Sequence, residues 1–312
     1  MQQAASSLIY RKLNLQDDLI ALVKLLQEVE QADQTGEQVS EDFLREQLTW
    51  SGQDPALNNW VVALPDSTSL VGYGLLQKTP NDPNADLSIY VHPLWRRQGI
   101  GSQLLAYLLE RANELDSQAF RAYVPVQNEG ANLFVQAQKF EPVSTYVRLS
   151  LADIQPFATP VLPQGFTIRS YDQVRRVDLY VEALNRSYEG YWGHLQCTQE
   201  DVARFLPHLN PAGIFLLFAP DGSIAGTCRA TLSEQEGEVR TALIDAPGIV
   251  TQYREGNLAL QLLLTVIGWL LPQQSTVLEL EAWGEAPETL ADYRKLGFST
   301  VKEEISYRRN LA

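Results

Sequence analysis

The sequence predicts an α/β fold laid down twice, each copy a mixed, mostly antiparallel sheet flanked by helices. Three observations predict it. Leu87 to Leu109 reads as a strand, a basic glycine turn and a helix in direct succession. Matching positions recur at a constant spacing along the chain. A proline-rich stretch separates the two copies.

In the first copy, Leu8-Ile9-Tyr10-Arg11 is a short strand, and Asp17 to Val29 carries Leu19, Leu22, Val23, Leu25 and Leu26 at helical spacing. Ser40 is placed to cap a second helix that runs through Leu48. Asn59 to Leu64 and Ser69 to Gln77 are strands. In the next strand Leu87, Ile89 and Val91 alternate with Ser88, Tyr90 and His92, and Pro93 ends it. The helix that follows has Leu104, Leu105, Leu108 and Leu109 on one stripe. Phe120 to Val124 is a fifth strand, Asn128 to Gln138 a helix and Tyr146 to Leu151 the last strand.

Pro156, Pro160 and Pro163 then mark a linker with few large side chains to bury. After it the pattern restarts. Phe166-Thr167-Ile168-Arg169 matches Leu8 to Arg11, Tyr253-Arg254 matches Trp95-Arg96, and Gly297-Phe298 matches Lys139-Phe140. The differences 169 − 11, 254 − 96 and 298 − 140 are all 158. The expected domains are therefore 1–152 and 165–312, joined by 153–164.

Composition narrows the function. The chain has 312 residues, enough for two cores, and a net charge of −14 with no basic patch. That argues against a nucleic-acid partner and favours cationic substrates such as amines. Two cysteines, Cys197 and Cys228, make no disulfide framework and fit a reducing compartment. Met1 to Leu13 lacks the apolar segment of a signal peptide, so a cytoplasmic protein is expected. Leu258 to Leu271 is the most apolar run, short of the roughly 20 residues that cross a bilayer. It carries no charge, so it is expected to be covered on both sides, by the first copy or by a second subunit in a homodimer. His92, His194 and His208 are scattered and predict no metal site. No Gly-x-Ser-x-Gly elbow supports a serine hydrolase.

The turn at 96–101 carries the chemistry. A helix start has backbone N–H groups without internal partners and the positive end of the helix dipole. Gly99 and Gly101 leave those donors uncovered, and Arg96 and Arg97 add positive charge. The result is a cradle for a phosphate or diphosphate. No Gly-Lys-Ser/Thr follows, and Leu104 stands where a dinucleotide fingerprint needs its third glycine.

The spacing R-x-x-G-x-G, from Arg96 to Gly101, resembles the pyrophosphate loop of the GNAT superfamily of acyl-CoA-dependent N-acyltransferases. The order of elements in both copies resembles that family too, in the tandem, mycothiol-synthase-like arrangement. The resemblance implies acetyl-CoA as donor and a primary amine as acceptor. It implies that Ile89, Tyr90 and Val91 hold the pantetheine arm, and that Arg96, Arg97, Gln98, Gly99, Ile100, Gly101 and Ser102 surround the diphosphate. Asn128 opens the helix of the family pattern N-x-x-A-x-x-L-Y. In the second copy Ile249, Arg254, Asn257 and Ala259 take the corresponding positions. Asn257 stands at the register of Gly99, and asparagine tolerates left-handed backbone.

Amide formation from a thioester needs a base for an amine of pKa about 10.4 and is helped by a proton donor for the thiolate. The family pattern places that donor on a tyrosine. Val135 occupies the position in the first copy and Tyr293 in the second, four residues before Gly297-Phe298. The candidate bases are Glu238 and Asp245, then Glu279 and Glu281; in the first copy Asp82, Asp86 and Tyr90 stay open. Tyr188, Tyr191, Trp192 and His194 form an aromatic cluster expected to line the acceptor side. The reading is an N-acetyltransferase working by direct attack; the alternative is a non-catalytic acyl-CoA-binding protein.

Overall fold

The computed structural model describes residues 8–36, 39–49, 55–65, 67–79, 82–152, 154, 156–233 and 239–311. In chain order its first elements are β1 (Ile9–Lys12), α1 (Leu15–Asp33), α2 (Glu41–Thr49), α3 (Pro55–Asn58), β2 (Asn59–Ala63), β3 (Leu70–Gln77) and β4 (Asn84–Val91). Then come α4 (Ile100–Glu114), β5 (Ala119–Pro125), α5 (Glu129–Ala137) and β6 (Glu141–Leu151). The later elements are β7 (Thr167–Ser170), α6 (Tyr171–Val174), α7 (Val177–Ser187), α8 (Gln199–Phe205), β8 (Ile214–Phe218), β9 (Ile224–Leu232), β10 (Thr241–Asp245) and β11 (Gly248–Ile249). The chain closes with α9 (Leu258–Leu270), β12 (Val277–Trp283), α10 (Pro287–Lys295) and β13 (Ser299–Asn310).

Over four pairs of elements the repeat spacing holds to the residue. Helices and strands that begin at 100, 119, 129 and 141 reappear at 258, 277, 287 and 299, each 158 later. Two compact units result, Met1–Val143 with Glu304–Ala312, and Ser144–Glu303. The linker reading set the division at 153–164. The compact units divide before Ser144, and the end of the last strand returns to the first unit. Each unit is thus finished by the other repeat's last strand: Glu304–Asn310 pairs with β5, and Tyr146–Leu151 pairs with β12.

In the first unit the strands run β1-β2-β3-β4-β5 and then the end of β13, all antiparallel except β4 with β5. Each face buries its own core. Ile100, Leu104, Leu105 and Leu108 of α4 pack on Val62, Leu76, Leu87 and Phe120. Leu19, Leu22, Leu25 and Leu26 of α1, with Leu44 and Leu48 of α2, pack on Val61, Ala63 and Tyr73. α4 lies close to the sheet because β3 offers no side chain at Gly72 and Gly74 beneath it: a Cβ at Gly72 would stand 2.9 Å from Ile100 Cγ2.

One ladder stops short. β4 pairs with β3 along Gly72–Gln77, but with β5 only from Asn84 to Asp86, opposite Ala119 to Arg121. Arg121 sits at that last rung and bonds Asp82 at 2.7 Å and Asp86 at 2.5 and 2.9 Å. Arg121 and Asp82 are buried, at 7% and 4% exposure.

In the second unit the order is β6-β12-β10-β9-β8-β7, with β10 parallel to β12 and β11 attached to β9. The strand equivalent to β4 is split into β10 and β11 around Ala246-Pro247, since proline has no N–H for the ladder. α9 turns Leu262, Leu263, Val266, Ile267 and Leu270 into the core. The proline-rich segment is no bare linker. Ile154, Phe157 and Leu162 pack against that same core, and Val161 N–H donates to Gln261 Oε1 of α9 at 2.6 Å. This strap supplies cover for α9 from within its own unit, which removes the ground for expecting a second subunit there.

Between β12 and α10 stands Glu285, 9% exposed, its Oε2 without a hydrogen-bond partner among the described residues. Burial pushes its carboxyl up to about 7.

Two stability measurements test these interiors. Arg121→Ala leaves the buried Asp82 and the half-buried Asp86 uncompensated and is expected to cost about 3 kcal/mol in chemical denaturation. A loss under about 1 kcal/mol would show that the pair is solvated. Glu285 is favoured as the neutral acid in the fold, so its stability contribution is present below the unfolded value of about 4.3 and is lost as pH rises through 7. The stability of Glu285→Gln relative to the parent should therefore grow by about 3 kcal/mol between pH 4 and pH 8. A difference that does not change with pH would contradict the raised pKa of this buried carboxyl.

Candidate active site

The site in the first unit follows from the interrupted ladder. Beyond Asp86 no strand among the described residues pairs with the β5 side of β4, so the stretch from Leu87 to Val91 offers backbone groups along an open edge. Directly after it the chain makes a short 3-10 turn at Pro93–Trp95 and enters α4 through Gly99. Gly99 has φ +83°, and no atom lies within 4 Å of where its Cβ would be. Arg97 holds φ +64°, a left-handed conformation that costs a non-glycine residue roughly 1–2 kcal/mol. The first intrahelical bond closes from Gln103 N–H to Gly99 O at 3.0 Å. The amides of Ile100, Gly101 and Ser102 therefore open outward at the positive end of α4.

The two arginines divide the work. Arg96 forks onto Asp33 at the end of α1 at 2.7 and 2.8 Å, and its Nε donates to Val91 O at 3.1 Å. It ties the turn to α1 and to β4. Arg97 is exposed and makes no hydrogen bond or ion pair among the described residues. Its charge is available to an anion.

These elements enclose a cavity of about 520 Å³. Ile89, Tyr90, Val91, Arg96, Arg97, Gly99, Ile100, Gly101, Ser102 and Asn128 all line it. Gln98 does not; its Nε2 donates back to Leu94 O at 3.4 Å. Asn128 caps α5, its Oδ1 accepting from Ala131 N–H at 3.0 Å. A Cβ on Gly101 would lie 3.4 Å from the ring of Phe134, so that ring closes the wall behind the turn. Val135, in the tyrosine position, is buried.

Strand alternation sorts the cavity into two sides. Leu87, Ile89 and Val91 face the α4 core, while Tyr90 packs with the α1 core. Asp86, bonded to Arg121, shares the α1 face with Tyr90 and Tyr123. Burial and the negative charge of Asp86 push the Tyr123 phenol up to about 12, so it stays a neutral donor at working pH. Tyr73, stacked 6.0 Å from Tyr90, donates its hydroxyl to Asn59 Oδ1 at 2.5 Å.

The second unit repeats the frame and alters the contents. Arg254 Nε donates to Ile249 O at 2.8 Å, the same bond as Arg96 to Val91, displaced by 158 at both ends. Its Nη2 goes to the carbonyls of Ser187 and Glu189 at 3.3 and 2.6 Å, and its guanidinium lies 4.9 Å over Tyr191. Glu255 stands at the register of Arg97 and reverses the charge. Asn257 does not adopt the left-handed backbone expected of it: its φ is −108°, and Gly256 takes the positive φ of +118° one residue earlier. Ala259 packs on the core.

The aromatic cluster gathers at this turn. The Tyr188 ring lies on Gly248, where a Cβ would come within 2.7 Å of it, and its hydroxyl donates to Ala246 O at 3.0 Å. Tyr191 and His194 each stand 6.0 Å from Tyr188, and Trp192 lies in the same turn. Burial lowers the His194 pKa, and its Nε2 has no partner among the described residues. Tyr293 on α10 is 1% exposed; its hydroxyl has no hydrogen-bond partner among the described residues, and burial pushes its pKa well up. Asp245 is bound to Arg229 at 2.8 Å, and Glu281 accepts from Tyr146 and Arg148 at 2.6 and 2.9 Å. Glu279 stands 4.0 Å from Arg148. Glu238 lies outside the described residues.

Sequence reasoning missed Tyr123 and Glu304, which line the cavity, and the Asp33 tether of Arg96. Alternation with Arg121 on one strand is a signal for Tyr123. Glu304 and Asp33 reach the site through long-range pairing, which local pattern does not encode.

Comparison with known proteins agrees with this geometry. Residues 22–140 match the sequence profile of the acetyltransferase (GNAT) family. The chain is 24% identical over 246 residues to the mycothiol acetyltransferase of Salinispora arenicola, a match covering 77% of this chain and 78% of that protein. Its fold resembles the GCN5-related N-acetyltransferase of Sphaerobacter thermophilus, with TM-score 0.75 and 21% identity over 97% of this chain and 95% of that one. It also resembles a tandem GNAT protein from the clavulanic acid biosynthesis pathway, with TM-score 0.63 and 18% identity over 97% of this chain and 98% of that one. The interrupted ladder and the glycine turn lie within the stretch that matches the acetyltransferase (GNAT) profile, and over most of its length the chain is similar to acetyltransferases and shares the fold of a protein with two GNAT copies in tandem.

Proposed function

We propose that acetyl-CoA binds in the cavity of the first unit and that its acetyl group passes by direct attack to a primary amine on the α1 face. The open edge of β4 beside the glycine turn carries this reading. The diphosphate would meet the free amides at the start of α4 and the charge of Arg97, and the pantetheine arm would run along Leu87 to Val91. A backbone N–H of that edge would polarise the thioester carbonyl. The acceptor face, with Glu30, Asp33, Tyr73, Tyr90 and Tyr123, suits an ammonium group. Val135 supplies no proton, so departure relies on the thiolate's own stability, a thiol having pKa about 8.5. The repeats behind the two units would run 1–152 and 165–312, and the two free cysteines fit a cytoplasmic setting.

A second reading puts the chemistry in the second unit, with Tyr293 as acid and Asp245 or Glu238 as base. The Tyr293 hydroxyl, without a hydrogen-bond partner among the described residues and near the charge of Glu285, favours it. The names of the relatives make an acceptor of the mycothiol kind the first member of an amine panel.

Steady-state kinetics with that panel separates the readings. Arg97→Glu should raise KM for acetyl-CoA tenfold or more with little change in melting temperature, whereas Arg96→Ala should lower the melting temperature through loss of its Asp33 and Val91 bonds. An unchanged KM in Arg97→Glu would remove the cofactor from this turn. Tyr293→Phe should keep kcat within about twofold of the parent; a loss of roughly a hundredfold would move catalysis to the second unit.

A further inference from the structure

The second unit has its own version of the gap beside β4. β10 pairs with β12 as far as Asp245 opposite Glu281, and one further bond runs from Ala246 N–H to Glu281 O at 2.8 Å. After Pro247 the strand resumes as β11, where Gly248 and Ile249 pair with β9. No strand among the described residues pairs with the β12 side of β11. At the repeat spacing of 158, Ala246, Gly248 and Ile249 stand for Ser88, Tyr90 and Val91, and Arg254-Glu255 stands for Arg96-Arg97.

The chain just past α7 enters this gap. A residue's N–H and C=O leave a strand on the same side, so the Ala246 carbonyl, like its N–H, points toward β12. Tyr188 donates its hydroxyl to that carbonyl at 3.0 Å, and its ring lies on Gly248, where a Cβ would come within 2.7 Å of it. Arg254 is turned back onto the same segment, its Nη2 donating to Ser187 O and Glu189 O and its guanidinium lying over the Tyr191 ring. Tyr191 reaches toward the other wall: burial, and then the charge of Glu285 just beyond β12, raise its phenol. Ser187 to Tyr191 therefore covers both the strand edge and the turn. In the first unit the end of α1 braces the turn with Asp33 alone, and Tyr90 and Arg97 line a cavity.

We propose that Ser187 to Tyr191 is a built-in occupant of the second unit's coenzyme groove, so that the chain takes up one acetyl-CoA and keeps a second groove closed with its own tyrosines; this rests on the first-unit reading for where the coenzyme lies. The Tyr188 hydroxyl takes a backbone acceptor of the edge that a pantetheine amide would use, and the Tyr191 ring takes the face of the turn arginine. A tethered occupant competes at an effective concentration of roughly millimolar, which a free ligand must exceed in order to displace it. Glu255 acts in the same direction, since its charge repels a diphosphate where Arg97 attracts one.

Hydrogen–deuterium exchange on the full chain, with and without acetyl-CoA, reads both grooves at once. Expected are protection gained at 87–102, none gained at 246–259, and one acetyl-CoA per chain in calorimetry. Combining Tyr188→Ala, Tyr191→Ala and Glu255→Arg opens the second groove and restores its cation; this variant should bind a second acetyl-CoA and gain protection at 246–259. If it does not fold, Gly248→Ala takes its place: the added Cβ displaces the Tyr188 ring, and exchange at 187–191 should rise tenfold or more. Two acetyl-CoA molecules on the parent overturn the proposal, as does a folded triple variant that still binds one, or unchanged exchange at 187–191 in Gly248→Ala. If acetyl-CoA protects both stretches of the parent, only the occupancy of the second groove fails. If it protects 246–259 alone, or neither stretch, the first-unit reading fails with it.

Discussion

A β-strand inside a sheet has two edges to satisfy, and the first unit turns on one that its neighbour abandons. β4 keeps its full ladder with β3 and loses β5 after three rungs. Unpaired backbone is costly where water is excluded, so such an edge is retained only if something else meets it. The buried Arg121 with Asp82 and Asp86 fixes where the strands part. Divergence at that rung creates the cavity, aims the chain into the glycine turn and sets the start of α4 beside the open edge. The anion cradle and the extended edge are adjacent because one defect in hydrogen bonding produces both.

The two repeats show how one frame supports different contents. The bond from a turn arginine back to the end of its strand is present in both, from Arg96 to Val91 and from Arg254 to Ile249. What surrounds it differs. Arg97 is a free cation in a left-handed conformation, and Glu255 at the same register is an anion. Tyr90 faces a cavity, while its counterpart Gly248 accommodates the ring of Tyr188. Conserving a backbone bond keeps the turn's shape; its chemistry is set by the side chains around it.

Much of this was legible in the sequence wherever the cause is local. The alternation of Leu87 to Val91, the glycine turn and the leucine stripe of α4 depend on neighbours a few residues away. The repeat spacing carried over to the first residue of four pairs of elements. What escaped was non-local. Asp33 reaches Arg96 across 63 residues and braces it against the end of α1. Asn257 suggested left-handed backbone by its type, but the neighbouring glycine adopts it at lower cost. The proline-rich segment looked like a spacer because its few apolar residues, Ile154, Phe157 and Leu162, are spread too thinly to form a pattern, yet each meets the core.

The exchange of last strands also bears on how the protein is made. The ribosome releases β1 through β5 long before Glu304–Asn310 exists, so the first sheet emerges with β5 exposed on one side. Its completion waits on a partner nearly 180 residues downstream in sequence (Glu304 minus Pro125 is 179), a pairing of high contact order. The first unit therefore cannot finish folding ahead of the second during translation, and the nascent chain must be shielded from edge-to-edge association until synthesis is nearly complete. Two domains that look independent in their cores are obliged to mature together.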